Sequence, residues 1–195
     1  MRIFLTIAAL VAITSAVHAA DTGDEVVVVY NSRVPESKSV AEQYAERRHV
    51  PANQVFGFGM NTNEVISREE YRDTLEKPLA KKLEDEKLWH IGSDILHGTN
   101  GAKDKVIWKV QHSKIRYAVL CYGVPTRIAA DPGVREEDVA ATMLPELRKN
   151  GAAVDSELAL LPRIEQHYPI IGMVKNDFYT LTNAALFQLT NGQIG

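Results

Sequence analysis

Between Glu25 and Tyr30 the chain runs Glu-Val-Val-Val-Val-Tyr, an unbroken β-branched stretch of strand length and the pattern of a strand buried on both faces. Pro35 and Glu36 supply a helix-start signal. Val40, Ala41, Tyr44 and Ala45 then recur at helical spacing until Pro51 stops the segment, which places the helix end near His49. Val55-Phe56-Gly57-Phe58 reads as a second short strand. Strand, helix and strand within about 35 residues is the size of a βαβ unit, whose crossover is right-handed.

A sharper boundary follows. Ser67 and Glu70 form an S-x-x-E capping box, and Ile66 and Tyr71 occupy the two positions of a hydrophobic staple, so a helix is predicted to begin at Ser67. Tyr71, Leu75, Leu79 and Leu83 recur every fourth residue as its buried stripe, and Pro78 is expected to kink it. Residues from Trp89 to Ser113 show no sustained period and read as a long loop or insertion, with a short strand at Val106 to Val110. Ile115 to Tyr122 is a third buried strand that breaks at Gly123-Val124-Pro125.

After the turn Asp131-Pro132-Gly133, the residues Val139, Ala140, Met143, Leu144 and Leu147 trace an amphipathic helix closed by Asn150-Gly151, with Pro145 interrupting its second half. Glu136, Glu137 and Asp138 read as its dipole-compensating start. Asp155 is expected to cap one more helix, with Glu157 in its first turn and Leu158, Leu161 and Ile164 on one face. Ile170 to Val174 fits strand or loop, and Asn183 to Leu189 fits a short helix. The alternation predicts an α/β fold: a three-layer, mainly parallel open sheet of at least three strands with flanking helices.

The N-terminal pattern changes the picture of where this domain works. Met1 and Arg2 precede an uncharged apolar run from Ile3 to Val17, and Val17-His18-Ala19 offers small residues at the spacing a signal peptidase accepts. The run is shorter than the roughly 20 residues that span a bilayer, which favours a cleaved signal peptide over an anchor. Residues 1–19 are therefore expected to be a signal peptide and residues 20–195 a single exported domain, periplasmic or extracellular, without a membrane span after cleavage. No cysteine follows the run, so acylation is not indicated. Cys121 is the single cysteine, which excludes an intramolecular disulfide and leaves stability to the core.

Composition excludes several functions. The 195 residues are 45% hydrophobic and 24% charged, ordinary for a globular protein. Twenty-two Lys and Arg against 25 Asp and Glu give a formal charge of -3, without a basic block able to neutralise a run of phosphates, so nucleic acid is not expected as a partner. The glycines form neither a Walker loop nor a dinucleotide fingerprint. His49, His90, His97, His112 and His167 lack the short helical spacings of a zinc site, so neither a metal nor a cofactor is indicated.

Ligands of open α/β sheets gather beyond the carboxyl ends of the strands. That rule selects Asn31, Ser32 and Arg33 after the first strand, and Thr126 and Arg127 after the third. Two guanidiniums with several hydrogen-bonding groups suit a carboxylate, sulfate, phosphate or sugar acid; the competing reading makes these turn residues, with the arginines paired to acids such as Glu36 or Asp131. Asp155 and Glu157 offer paired carboxylates for acid–base work, or simply a cap and a first-turn acid. Cys121 and His97 could form a thiol dyad, against which stands the apolar run around Cys121.

Several segments together resemble a known family. They are Val26-Val27-Val28-Val29-Tyr30-Asn31-Ser32, Ile66-Ser67-Arg68-Glu69-Glu70-Tyr71, Ile115-Arg116-Tyr117, Gly123-Val124-Pro125, Val154-Asp155-Ser156-Glu157-Leu158-Ala159-Leu160-Leu161 and Asn176-Asp177-Phe178-Tyr179. The chain is similar to an uncharacterised exported bacterial family associated with genomes that carry the PEP-CTERM and exosortase protein-sorting system. The resemblance covers nearly all of the mature chain and implies export, but carries over no catalytic residue. The family pattern does not require cysteine at position 121. Its members continue past the Thr190-Asn191-Gly192 segment into another hydrophobic strand and an Arg-Leu-Asp-Gly-Pro motif, so the resemblance implies a domain truncated at its C-terminal end.

Three functions compete on these grounds. One is a binding domain for an anionic or saccharide component of the cell envelope. The second is a hydrolase using Cys121 and His97 or the paired carboxylates, and the third is an interaction protein that offers an open sheet edge to a partner.

Overall fold

The computed structural model describes residues 23–98, 103–165 and 169–172. Strand β1 (Val26–Asn31), helix α1 (Pro35–Arg48) and strand β2 (Val55–Phe58) form the βαβ unit, with β2 parallel to β1 in the register Val28 to Val55 and Asn31 to Phe58. Helix α1 ends where His49 turns into the left-handed region at φ 55°, its N–H donating back to Ala45 and Glu46. The short strand β3 (Val65–Ile66) leads into Ser67, whose hydroxyl accepts from the Glu70 N–H while the Glu70 carboxylate accepts from the Ser67 N–H. Both halves of the expected capping box are therefore made.

Helix α2 (Arg68–Tyr71) continues through a π-helical turn (Arg72–Glu76) into α3 (Lys77–Asp85). The expected kink takes this form because Pro78 lacks an N–H and its ring crowds the carbonyl four residues back; widening the preceding turn relieves both problems. Leu75, Leu79 and Leu83 are buried, as the stripe predicts.

The segment expected to be a long loop or insertion with a short strand at Val106 to Val110 is an antiparallel hairpin, β4 (Trp89–Leu96) with β5 (Lys105–Ser113), so the short strand is present and longer at both ends, and β4 stands where loop was expected. Its inner end packs on the core through Trp89, Ile91 and Val110, whereas Ile95 and Val106, paired across the outer end, are 56% and 59% exposed. A ribbon wet on both faces over its outer half has no polar face to alternate against, which erases the period-two signal.

Strand β6 (Tyr117–Leu120) returns parallel to β1 on the side opposite β2, giving the sheet order β2-β1-β6. Strand β7 (Arg127–Ile128) pairs with β3 in parallel and with β8 (Ala152–Ala153) antiparallel, forming a second small sheet. Between them lie helix α4 (Glu137–Ala141) and a 3-10 turn (Pro145–Leu147), followed after β8 by helix α5 (Val154–Leu158) and a 3-10 turn (Leu161–Arg163).

The amphipathic helix expected through Leu147 is thus cut short. Pro145 opens a separate turn, and Leu144 and Leu147 point to solvent at 67% and 42% exposure. Asn150-Gly151 does not close a helix. Ile170, Ile171 and Gly172 lie outside any strand, and positions 173–174 of the expected strand and the expected 183–189 helix fall outside the described residues, as do positions 1–19, expected to be a signal peptide.

Alternate residues of β1 serve two cores. Val28 joins Ala41 and Ala45 of α1 together with Val50 and Cys121, while Val27 and Val29 join Tyr71, Leu75, Leu79 and Leu83. The fold is α/β with a parallel three-stranded sheet. Among the described residues no helix is long and apolar enough to cross a membrane.

Candidate functional site

The carboxyl edge of the main sheet is tied by Asn31. Its side-chain nitrogen donates to the carbonyls of Asn61 (3.0 Å) and Gly123 (2.8 Å), and its Oδ1 accepts from the Arg33 N–H at 3.0 Å. The loops after β1, β2 and β6 are therefore brought together, but the residue that joins them is fully buried and spent on the joining. Gly123 sits at φ 86°, and a Cβ there would press on Val34 at 3.1 Å, so the β6 turn needs glycine.

Ser32 and Arg33 remain exposed at this edge. Arg33 adds to the stabilisation of the Glu70 carboxylate, which is held below its usual range first by the Asn61 amide, then by the Ser67 N–H.

Thr126 and Arg127 stand in a different setting. The Thr126 hydroxyl donates to Glu64 (3.2 Å), and the N–H groups of both residues donate to the Glu64 carbonyl. Arg127 then opens a groove of about 840 Å3, one wall formed by residues 127–134 and the other by 148–153, with Arg148 and Lys149 beside it. Ala129, Ala130, Pro132 and Val134 give that first wall apolar surface. None of the ion pairs among the described residues engages Arg33, Arg127, Arg148 or Lys149. The expected pairing of Arg33 with Glu36 or Arg127 with Asp131 is not formed. Arg148 donates to the Met143 carbonyl instead, at 3.1 and 3.0 Å.

The groove walls are joined by the β7–β8 pairing and, beyond it, by one side chain. Asn150 accepts from the Asp131 N–H at 2.9 Å and donates to the Asp131 carbonyl at 2.7 Å, and a Cβ on Gly151 would meet the backbone of Ile128 and Ala130 at 3.2 Å. Behind the clasp lies a buried charge cluster that the sequence reading did not assemble. Arg68, 7% exposed, donates through one Nη to the Asn150 carbonyl at 2.6 Å and meets the Glu157 carboxylate, 10% exposed, at 3.1 Å through the other. Its Nε is buried without a partner among the described residues. Glu76, in the π turn, is pushed above the usual carboxylate range by burial and then by the negative charge of Glu157, against smaller opposing effects of Arg72, Arg68 and Lys77.

Asp155 and Glu157 are consequently not a working pair. Asp155 is exposed at the second position of α5, where Ala153 is the cap, and its carboxylate accepts from the next N–H at 2.8 Å. The carboxylate that shares the environment of Glu157 is Glu76. Glu136 is also more than a dipole partner, since its carboxylate accepts from the N–H groups of Ile170 and Ile171.

Nor are Cys121 and His97 brought together. Cys121 is buried against α1, and desolvation raises its thiol above the ordinary value. His97 lies at the outer end of the hairpin, 79% exposed, with Nδ1 3.0 Å from Asp104. Among the described residues no group of three His, Cys, Asp or Glu side chains is placed to hold a metal ion.

Comparison with protein-family models, with curated proteins and with solved structures finds no match for this chain. The site therefore rests on its own chemistry: three cations that no acid pairs with among the described residues, around a groove partly lined by apolar residues and backed by a buried ion pair. The Arg68–Glu157 pairing spans 89 positions, and only the capping box that fixes where α2 starts hinted that Arg68 occupies a defined place.

Proposed function

We propose that this chain is an exported α/β binding domain that recognises an anionic or saccharide component of the bacterial cell envelope in the groove between residues 127–134 and 148–153. The carrying observation is that Arg127, Arg148 and Lys149 border one groove with no acid paired to them among the described residues. Guanidinium and ammonium groups bind carboxylate, sulfate or phosphate oxygens, and the apolar surface of Ala129, Ala130, Pro132 and Val134 accepts the apolar face of a sugar ring.

Export is supported by the charged start, the apolar run to Val17 and the Val17-His18-Ala19 spacing, and it accords with the resemblance to the exosortase-associated family. A three-layer arrangement is supported by β1, whose alternate residues join the α1 cluster and the α2–α3 cluster. Arg33 belongs to a separate edge beside Glu70 and is left out of this site.

Calorimetric titration of residues 20 to 195 with inorganic sulfate, galacturonate and a neutral disaccharide tests the proposal. Binding of the charged ligands that weakens at least tenfold in Arg127→Ala/Arg148→Ala supports it, and affinity unchanged by that double substitution overturns it.

A second reading rests on β6. Among the described residues it is an outer strand of the main sheet, with Tyr117 55% exposed, so its edge can accept a strand from a partner. Concentration-dependent association measured by light scattering separates this from ligand binding by a monomer.

A further inference from the structure

An acid stands among the cations that line the groove. Asp131 borders the same space as Arg127, Arg148 and Lys149, yet among the described residues it forms an ion pair with none of them. It is held instead at three points. Asn150 binds its N–H and its carbonyl, and its Oδ1 accepts from the Gly133 N–H at 2.7 Å across the turn Asp131-Pro132-Gly133. The residue is exposed, and its other carboxylate oxygen accepts no hydrogen bond among the described residues.

We propose that the ligand of this groove is a sugar acid, its carboxylate taken by the cations and its ring hydroxyls by Asp131, which is thereby the specificity-determining residue. The proposal rests on the groove being the anion site proposed above, and it narrows the ligand to one that carries both functions on one ring.

A site for bare anions gains nothing from an acid in its wall, because the carboxylate repels them. An acid that served only to balance the arginines would close onto one of them, since a guanidinium–carboxylate pair satisfies both partners. The turn prevents that closure: Oδ1 is committed to Gly133, and Asn150 fixes the backbone of Asp131 on both sides. A carboxylate held open in this way can only accept, and hydroxyl groups are the donors that a sugar brings. Hydrogen bonds from a hydroxyl to a charged oxygen are roughly twice as strong as those between neutral groups. The spacing suits one ring with its acid. Arg127 and Asp131 lie four residues apart along one wall, at most about 14 Å of extended chain, with the apolar surface of Ala129 and Ala130 between them. A carboxylate bound at Arg127 therefore leaves the ring over the alanines and its hydroxyls at Asp131.

Asp131→Asn isolates the carboxylate. It keeps an oxygen for the Gly133 N–H, so the turn survives, while it removes the charge and replaces the other oxygen by a donor. Calorimetry at pH 7 measures galacturonate, glucuronate, galactose and inorganic sulfate against residues 20 to 195 in wild type, Asp131→Asn and Arg127→Ala. The two uronates are run together so that the orientation of one hydroxyl does not decide the outcome. Wild type should bind at least one uronate roughly tenfold more tightly than sulfate or galactose.

Asp131→Asn should move the two anions in opposite directions, weakening that uronate roughly tenfold and tightening sulfate, because one change removes both a hydroxyl acceptor and a repelling charge. Arg127→Ala should weaken both. A purely structural Asp131 cannot produce the opposed shifts. If uronate affinity is unchanged or rises in Asp131→Asn while sulfate tightens, the residue acts as a charge alone, and the sugar-acid assignment falls while the anion site stands. Uronates bound no more tightly than sulfate, or galactose bound as tightly as the uronates, would overturn the assignment in the same way. If no anion binds wild type, the anion reading of the groove falls and takes the assignment with it.

Discussion

Replacing Arg68 by methionine isolates the energetic role of the buried ion pair. The substitution keeps the aliphatic stem and removes the charge, leaving Glu157 10% exposed and without its cation, and the Asn150 carbonyl without its 2.6 Å donor. Breaking a buried pair by removing one member costs about 3–5 kcal/mol, because the remaining charge keeps its desolvation penalty and loses its compensation. A domain of this size has a total stability of roughly 5–15 kcal/mol, so the variant should stay folded in water but be severely weakened.

With a urea m-value of about 2 kcal/mol/M, the unfolding midpoint should fall by about 2 M at pH 7. The double substitution Arg68→Met/Glu157→Leu supplies the control. Two apolar side chains of similar volume remove both desolvation penalties, so the double variant should recover most of the loss. A single-variant loss under about 1 kcal/mol would show that Glu157 is hydrated in solution and refute the buried-pair argument. A double variant no better than the single would place the cost in the lost Asn150 contact instead.

The remaining expectations read other residues, the first of them electrostatically coupled to that pair. Glu76 has a raised carboxyl pKa in the folded chain, so the unfolded chain releases this proton first as pH rises above about 4.5, and stability contributed by neutral Glu76 is lost as pH climbs through the folded value. Glu76→Gln should abolish that downward slope, as read by urea melts across pH 4 to 8. Ser67→Ala removes the hydroxyl that accepts from Glu70 N–H and should cost about 1 kcal/mol by the same assay, with no effect on sulfate binding; a loss near zero would mean the capping box is not formed in solution. Cys121 is buried with its thiol pKa raised, so labelling by a disulfide reagent at pH 7.5 should be slow in the folded protein and fast in urea, and rapid labelling of the native state would contradict its placement against α1.

The local features written in adjacent residues were legible before the structure. The β1–α1–β2 unit, the capping box at Ser67 and the leucine stripe after it each depend on spacing within a few turns, and all three are present. Of the β4–β5 hairpin only the segment Val106 to Val110 was legible, because Ile95, Leu96 and Val106 near its outer end are apolar and exposed, contrary to the rule by which a strand betrays its buried face. Asn150-Gly151 has the composition of a helix end, yet Asn150 works as a bridge to Asp131, a role set by a residue 19 positions away. Glu157 shows the same limit, since a first-turn acid and a buried partner of Arg68 look alike until α2 and α5 are brought together. The arginines of the predicted edge were chosen by a sound rule about strand ends, but Arg127 was carried past the main sheet into β7, so its neighbours are Arg148 and Lys149 rather than Arg33.

The clasp at Asn150 also sets how the protein ages. An asparagine followed by glycine loses its side-chain amide more readily than most, because the next backbone nitrogen can attack it with no side chain in the way. In the folded chain both ends of the Asn150 amide are engaged with Asp131, and the residue is 9% exposed, so the attack geometry is out of reach. Once the chain opens, that protection ends, and conversion to aspartate replaces the donor facing the Asp131 carbonyl with a second acceptor. A molecule changed in this way carries an added negative charge beside Arg127 and Lys149 and cannot remake both bonds on refolding. The groove therefore keeps a chemical record of time spent unfolded, and old or heat-stressed protein should separate by charge into molecules with the clasp and molecules without it.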